Sequence, residues 1–143
     1  MTRRRFAEDT KVPVDRTRQD LERLLRGAGA EGYATAWDPT QDLVEFLWKG
    51  KQIRFVLPRL ATSSTGRRDQ EERRRWRALL LVVKAKLEAV QSGISVFEQE
   101  FLGYIVVPAT GRTIYEHAQG PLAAKEWDAS RLFPTPPGAP KED

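Results

Sequence analysis

The chain has 143 residues, of which 40% are apolar and 31% charged, with four Trp and a formal net charge of +4. That length and apolar share fit one packed domain, which buries roughly two-thirds of the surface its unfolded chain exposes. The lack of Cys excludes disulfides, thiolate nucleophiles and thiolate zinc sites and suits a reducing, cytoplasmic compartment, and the single His, His117, excludes multi-His metal centres.

Residues 1–11 read as a flexible basic N-terminus. No apolar stretch follows its arginines, so it does not read as a secretory signal. No window approaches the run of about eighteen apolar residues that a membrane span needs. Residues 12–120 are expected to form a single α+β domain: an N-terminal helix, a three-stranded antiparallel β-meander, a long central helix, then two shorter helices. Residues 121–143, ending in FPTPPGAPKED, read as an irregular Pro-rich tail, with Trp127, Leu132 and Phe133 available to tack it to the body.

The first helix follows Val14, with Asp15 as its expected N-cap. Leu21, Leu24, Leu25 and Ala28 fall at helical spacing, and Gly27 and Gly29 end it. Extended runs follow at Tyr33–Trp37, Leu43–Trp48 and Gln52–Leu57, separated by an Asp-Pro-Thr-Gln turn and by Lys49-Gly50. A two-residue loop at Lys49-Gly50 sets Trp48 opposite Lys51, Phe46 opposite Ile53 and Val44 opposite Phe55, so one face is apolar. The same register sets Glu45 opposite Arg54 on the other face.

Pro58 closes the third strand, and Ala61–Arg68 reads as a flexible connector. The spacing Asp69-x-x-Glu72 predicts a capped start to a long helix that stops at Gly93. Trp76, Leu79, Leu80, Val83, Leu87 and Val90 form one stripe of it. Ala78, Val82, Ala85 and Ala89 form a second, small-residue face suited to close approach by a partner helix or a second copy. Ser95-x-x-Glu98 predicts another capped helix over about Val96–Val106, although Ile105-Val106-Val107 also fits a strand. After a turn at Pro108–Gly111, Thr113-x-x-Glu116 caps a short helix carrying Tyr115 and His117.

The segment EERRRWRALLLVVKAKLEAVQSGISVFEQEFLGYIVVPATGRTIYEHA, from Glu71 to Ala118, resembles a family of small uncharacterised proteins of bacteriophages and integrated elements. The RRxWRALLLxxKAKLEAVxxGI run, Phe97-Glu98 with Glu100-Phe101-Leu102, and the turn from Pro108 to Gly111-Arg112-Thr113 carry the resemblance. The upstream VPVDRTRQDLERLLRGAGAEGY is similar to that family's opening. The resemblance implies a phage or mobile-element setting near DNA-processing genes and brings no catalytic residues. Ala109 stands where the family has an acidic residue or glycine. The helix-strand-strand-strand-helix order also resembles that of the double-stranded-RNA-binding domain, without its lysine cluster, and topology alone is no warrant for function.

Charge is segregated along the chain. From Lys49 to Lys86 twelve Lys/Arg face three acids, net +9, whereas the other residues carry twelve against seventeen, net −5. The block Arg67, Arg68, Arg73, Arg74, Arg75 and Arg77, continued by Lys84 and Lys86, is the main candidate. Arg73, Arg77 and Lys84 lie within about 40° on the helix wheel, a ridge able to contact successive phosphates. The alternative is a solvated helix face neutralised by Glu71, Glu72 and Glu88. The hairpin tip Trp48-Lys49-Gly50-Lys51 is the second candidate, as a stacking platform between two cations, or else a Trp that covers the sheet's end. Glu98, Glu100, Glu116 and His117 are the available acid/base groups, and capping explains two of them.

The expectation is therefore a non-enzymatic accessory protein, without cofactor or metal, that binds nucleic acid with little sequence preference, DNA ahead of RNA. Lys49, Lys51, Arg54 and Arg59 would assist the Arg67–Lys86 ridge. A protein-interaction module or self-associating subunit using the Ala78/Val82/Ala85/Ala89 face is the alternative.

Overall fold

The computed structural model describes residues 13–59, 65–124 and Gly138. The expected N-terminal segment, part of the connector and most of the tail, with Trp127, Leu132 and Phe133, lie outside the described residues. The described elements give a mixed α+β fold in the expected order. They are α1 (Val14–Gly27), β1 (Gly32–Asp38), β2 (Gln41–Trp48), β3 (Lys51–Pro58), α2 (Thr65–Gln91), α3 (Phe97–Phe101), β4 (Val106–Val107), β5 (Arg112–Thr113) and α4 (Ile114–Leu122). Among the described residues no helix is long and apolar enough to cross a membrane.

Helix α1 buries Thr17, Leu21 and Leu25, one residue per turn along a single stripe. Its N-cap is Pro13 rather than Asp15, which lies in the first turn and pairs with Arg18 at 3.6 Å. The Pro13 carbonyl accepts from the Thr17 amide, so the helix begins two residues earlier than a side-chain cap at Asp15 allows. Gly29, at φ +101°, releases the chain toward β1.

The three strands form an antiparallel meander, β1-β2-β3. The register matches the expected one at each named pair: Trp48↔Lys51, Phe46↔Ile53, Val44↔Phe55 and Glu45↔Arg54. Lys49 and Gly50 both take positive φ, 46° and 76°, the conformation that a two-residue type I′ loop requires. Glu45 accepts from Arg54 Nε at 2.7 Å on the sheet's outer face. At the other turn, Asp38 Oδ1 accepts from the Thr40 hydroxyl and amide and from the Gln41 amide. An Asx turn thus closes the β1–β2 hairpin.

On the inner face, Val44, Phe46, Ile53 and Phe55 meet Leu21 and Leu25 of α1 and Trp76, Leu79, Val83 and Leu87 of α2 in one core. Leu80 and Val90, half-buried, complete the expected α2 stripe. Phe97 and Phe101 close the hairpin end. Their rings stack at 4.4 Å, Phe97 stacks on Trp48 at 3.7 Å, and Phe101 meets Phe46 and Phe55 edge-on. Such ring pairs contribute about 0.5–1.5 kcal/mol beyond the area they bury.

Helix α2 begins at Thr65, so Thr65–Arg68 belong to the helix and not to a connector, and Asp69 is an interior residue rather than a cap. No Pro interrupts this stretch, and Arg and Gln sustain a helix well. The predicted helix over Val96–Val106 is shorter than expected. Helix α3 ends at Phe101, a 3₁₀ turn covers Leu102–Tyr104, and Val106–Val107 pair with Arg112–Thr113 as β4 and β5. The β-branched run takes its strand alternative because Ile105 bridges to Ile53 on the free edge of β3, while Tyr104 stacks on Phe55 at 4.1 Å. Val96, with no side-chain cap, precedes α3, so the Ser95/Glu98 capping box does not form. The Thr113/Glu116 box does form, with the Glu116 amide donating to Thr113 Oγ1 and the Thr113 amide to Glu116 Oε1, each at 3.2 Å. Helix α4 then continues through Pro121 to Leu122.

Candidate nucleic-acid interface

Helix α2 presents the candidate cations, and their neighbours decide which of them keep their charge available. Among the described residues Arg73, Arg77 and Lys84 take part in no ion pair or hydrogen bond, and Arg77 and Lys84 are exposed. Arg73 is half-buried beside them. Four and then seven residues separate the three, about 6 and 10 Å along the helix axis. They form a cationic ridge with no ion pair of its own among the described residues, flanked on the same face by Asp69 and Glu88, each four residues beyond one end.

The other arginines of the block divide around it. Arg74 pairs with Glu71 at 3.3 Å and lies roughly 60° around the helix from Arg77. Arg67 and Arg68 are exposed in the first turns, each with an interaction partner, and Arg68 projects from about the opposite side of the helix to Arg77. Arg75 donates through Nη1 to the Pro58 carbonyl and fastens α2 to the end of β3. Lys86 donates to the Glu100 carbonyl at 2.9 Å and lies over the Phe101 and Tyr104 rings, so it braces α3.

The hairpin cations lie far from the start of α2, where the arginine block begins. Lys49 and Lys51 sit at the Trp48 end of β2, whereas Arg75 is anchored at the opposite end beside Pro58. The six residue steps from Asp42 to Trp48 span about 20 Å. Lys51 pairs with Glu98 at 3.7 Å, and both lysines lie over Trp48. Trp48, half-buried and stacked on Phe97, covers the end of the sheet. Arg54 is held by Glu45 and by the Gly111 carbonyl at 2.8 Å, and Arg59 by Asp42. These cations have structural duties.

Sequence reasoning missed the most concentrated charge cluster. Asp42, 1% exposed, accepts from Arg59 Nη2 at 3.0 Å and lies 3.8 Å from Arg18 Nη2. Arg18 packs over Trp76 at 4.6 Å and Arg59 over Trp37 at 5.6 Å. The Nε atoms of Arg18, Arg59 and Arg75 are buried without a hydrogen-bond partner. One carboxylate thus faces two guanidiniums, with a third anchored at the adjacent Pro58, while Asp15 pairs with Arg18 and Asp38 lies within the influence of Arg59. A signal was present: Asp42 shares strand parity with Val44 and Phe46, and a carboxylate on an apolar face needs a cationic partner.

The acid/base candidates are dispersed. Glu98 pairs with Lys51. Glu116 caps α4, and the Thr113 amide and hydroxyl, aided by Arg112, hold its carboxyl below the usual range. His117 Nε2 shares a 2.7 Å hydrogen bond with Thr110 Oγ1. Among the described residues no three His, Asp or Glu side chains are placed to hold a metal ion. On the second face of α2, Ala78, Val82 and Ala85 are exposed and Ala89 half-buried, with Leu81 exposed beside them, so α3 does not cover it. Comparison with protein-family models, with curated proteins and with solved structures finds no match to the chain.

Proposed function

We propose that the protein is a non-enzymatic accessory factor that binds nucleic acid, DNA foremost, through backbone phosphates and with little sequence preference. The observation that carries this reading is the ridge of Arg73, Arg77 and Lys84, none of which is ion-paired among the described residues. Three cations over about 16 Å of helix match the scale on which a nucleic-acid strand repeats its charge, and Arg suits bidentate phosphate contact. The resemblance of residues 71–118 to phage and integrated-element proteins adds a mobile-element setting.

Fluorescence anisotropy with a labelled duplex and a labelled single strand tests the proposal. Binding is expected at 50 mM salt and is expected to weaken steeply by 200 mM. No detectable binding at low salt ends it. A second reading, a protein-interaction module, draws on the exposed Leu81 and Val82 beside Ala78 and Ala85. Arg73→Glu with Arg77→Glu separates the two readings, because it abolishes nucleic-acid binding and leaves a partner held on the apolar face in place.

A further inference from the structure

Among the described residues, strand β1 is the least covered strand of the sheet. Ala34 to Asp38 are all exposed, and Trp37 is 70% exposed although it lies on the helix-facing side of the sheet, across from buried Asp42. Exposed edges of this kind carry Lys, Pro or a bulge in proteins that remain monomeric. Gly32–Asp38, GYATAWD, has none of these, and its one charge is Asp38 at the far end.

The register shows what the open edge offers. Both hairpins have two-residue loops, so Asp38↔Gln41 and Trp48↔Lys51 are the hydrogen-bonded pairs that close them. Alternation along an antiparallel ladder then directs the amides and carbonyls of Ala34 and Ala36 toward β2. Those of Tyr33, Thr35 and Trp37 point outward to the free edge. These are the same three residues whose side chains face the helix side.

We infer that β1 pairs antiparallel with β1 of a second copy of this chain about a two-fold axis through Thr35. The sequence Tyr-Ala-Thr-Ala-Trp is nearly palindromic by size and type. The axis sets Thr35 opposite Thr35, Ala34 opposite Ala36, and Tyr33 opposite Trp37. Each of the three outward-facing residues then meets another outward-facing residue, and the two sheets join into one of six strands, β3-β2-β1-β1-β2-β3. Closed two-fold pairing of this kind uses up both free edges.

Side-chain complementarity favours this occupant over an unrelated strand. Along Tyr33 runs a groove walled by Glu22, Arg26, Ala30, Glu31 and Gly32, in which Arg26 pairs with Glu22 at 3.1 Å. The second copy's Trp37 enters on this flank, beside the Tyr33 ring, as an aromatic cross-strand pair. Arg59, which caps Trp37, arrives with it on the flank of Glu31. The inference does not depend on nucleic-acid binding.

Sedimentation velocity over a concentration series tests it, together with four variants. The parent is expected to sediment at twice the monomer mass at tens of micromolar. Thr35→Lys sets like charges against each other on the axis, and Thr35→Pro removes an amide that points away from β2. Both are expected to raise the half-dimerisation concentration at least tenfold while the circular dichroism spectrum stays that of the parent. Ala85→Glu, on the exposed face of α2, is expected to leave the dimer intact. In this Cys-free chain Thr35→Cys provides a further probe, because a hydrogen-bonded pair about 5.5 Å apart at Cα lies within disulfide reach. Thr35→Cys is expected to cross-link on mild oxidation. A parent that stays monomeric at 100 µM overturns the inference, as does a dimer that survives both Thr35→Lys and Thr35→Pro or one that Ala85→Glu dissociates.

Discussion

Asp42 has the most demanding environment of any described side chain. It is a carboxylate on the inner face of the sheet, and Arg59 and Arg18 compensate its burial from two different elements. Removing one member of a fully buried ion pair costs about 3–5 kcal/mol, and the two arginines here each retain more than a quarter of their side-chain exposure. Asp42→Asn is therefore expected to cost about 2 kcal/mol, a smaller loss than in a sealed core, read from urea unfolding. Two turn carboxylates act at the surface instead. The Thr40 hydroxyl, then the Thr40 and Gln41 amides and Arg59, hold Asp38 below the usual carboxylate range, and Thr113 does the same for Glu116. Folded values below the unfolded ones mean that this stabilisation is complete above the ordinary value of about 4 and is lost as the pH falls through the native value. Asp38→Asn combined with Glu116→Gln is expected to flatten the acid limb of the stability profile below about pH 4. An unchanged limb would show that neither turn is linked to folding.

Among the elements, the β2–β3 hairpin was the most legible, because alternation, turn chemistry and cross-strand charge all specify one register and a one-residue slip reverses every side chain. Lys49 is its weak point, a non-Gly residue at φ 46°. Lys49→Asn is expected to raise stability by about 0.5 kcal/mol in thermal melts, since Asn enters this conformation more readily. A drop would mean that the Lys49 ammonium over Trp48 outweighs the backbone strain. The stretch from Ser95 to Val107 was less legible. Phe97 and Phe101 keep helical spacing, but the pull of Ile105 toward the β3 edge, a contact more than fifty residues away in sequence, decides where the helix stops. Similarly, the acidic pair Asp69/Glu72 carries a capping pattern inside a helix that had already begun at Thr65. Local spacing supplies candidate caps, and the first turn that forms determines which one is used.

For the whole molecule, composition showed that positive charge is concentrated between Lys49 and Lys86, and the fold shows how it is spent. Arg54, Arg59, Arg75, Lys51 and Lys86 brace strands, turns and α3, and the hairpin tip lies at the far end of the sheet from the start of α2. Sequence separation gave no means of telling a bracing cation from an available one, because their partners, Asp42, Glu98 and three carbonyl oxygens, come from other elements. The helix wheel did isolate Arg73, Arg77 and Lys84, since all three belong to one regular element whose geometry is local. These three are the cations proposed to contact phosphates. The dependence of duplex affinity on salt tests that claim most directly. Three neutralised phosphates give a log–log slope of about −2.7, roughly a 40-fold loss of affinity between 50 and 200 mM salt, and Arg77→Ala is expected to shallow the slope by about 0.9. A slope near zero, or one that Arg77→Ala leaves unchanged, would contradict the claim.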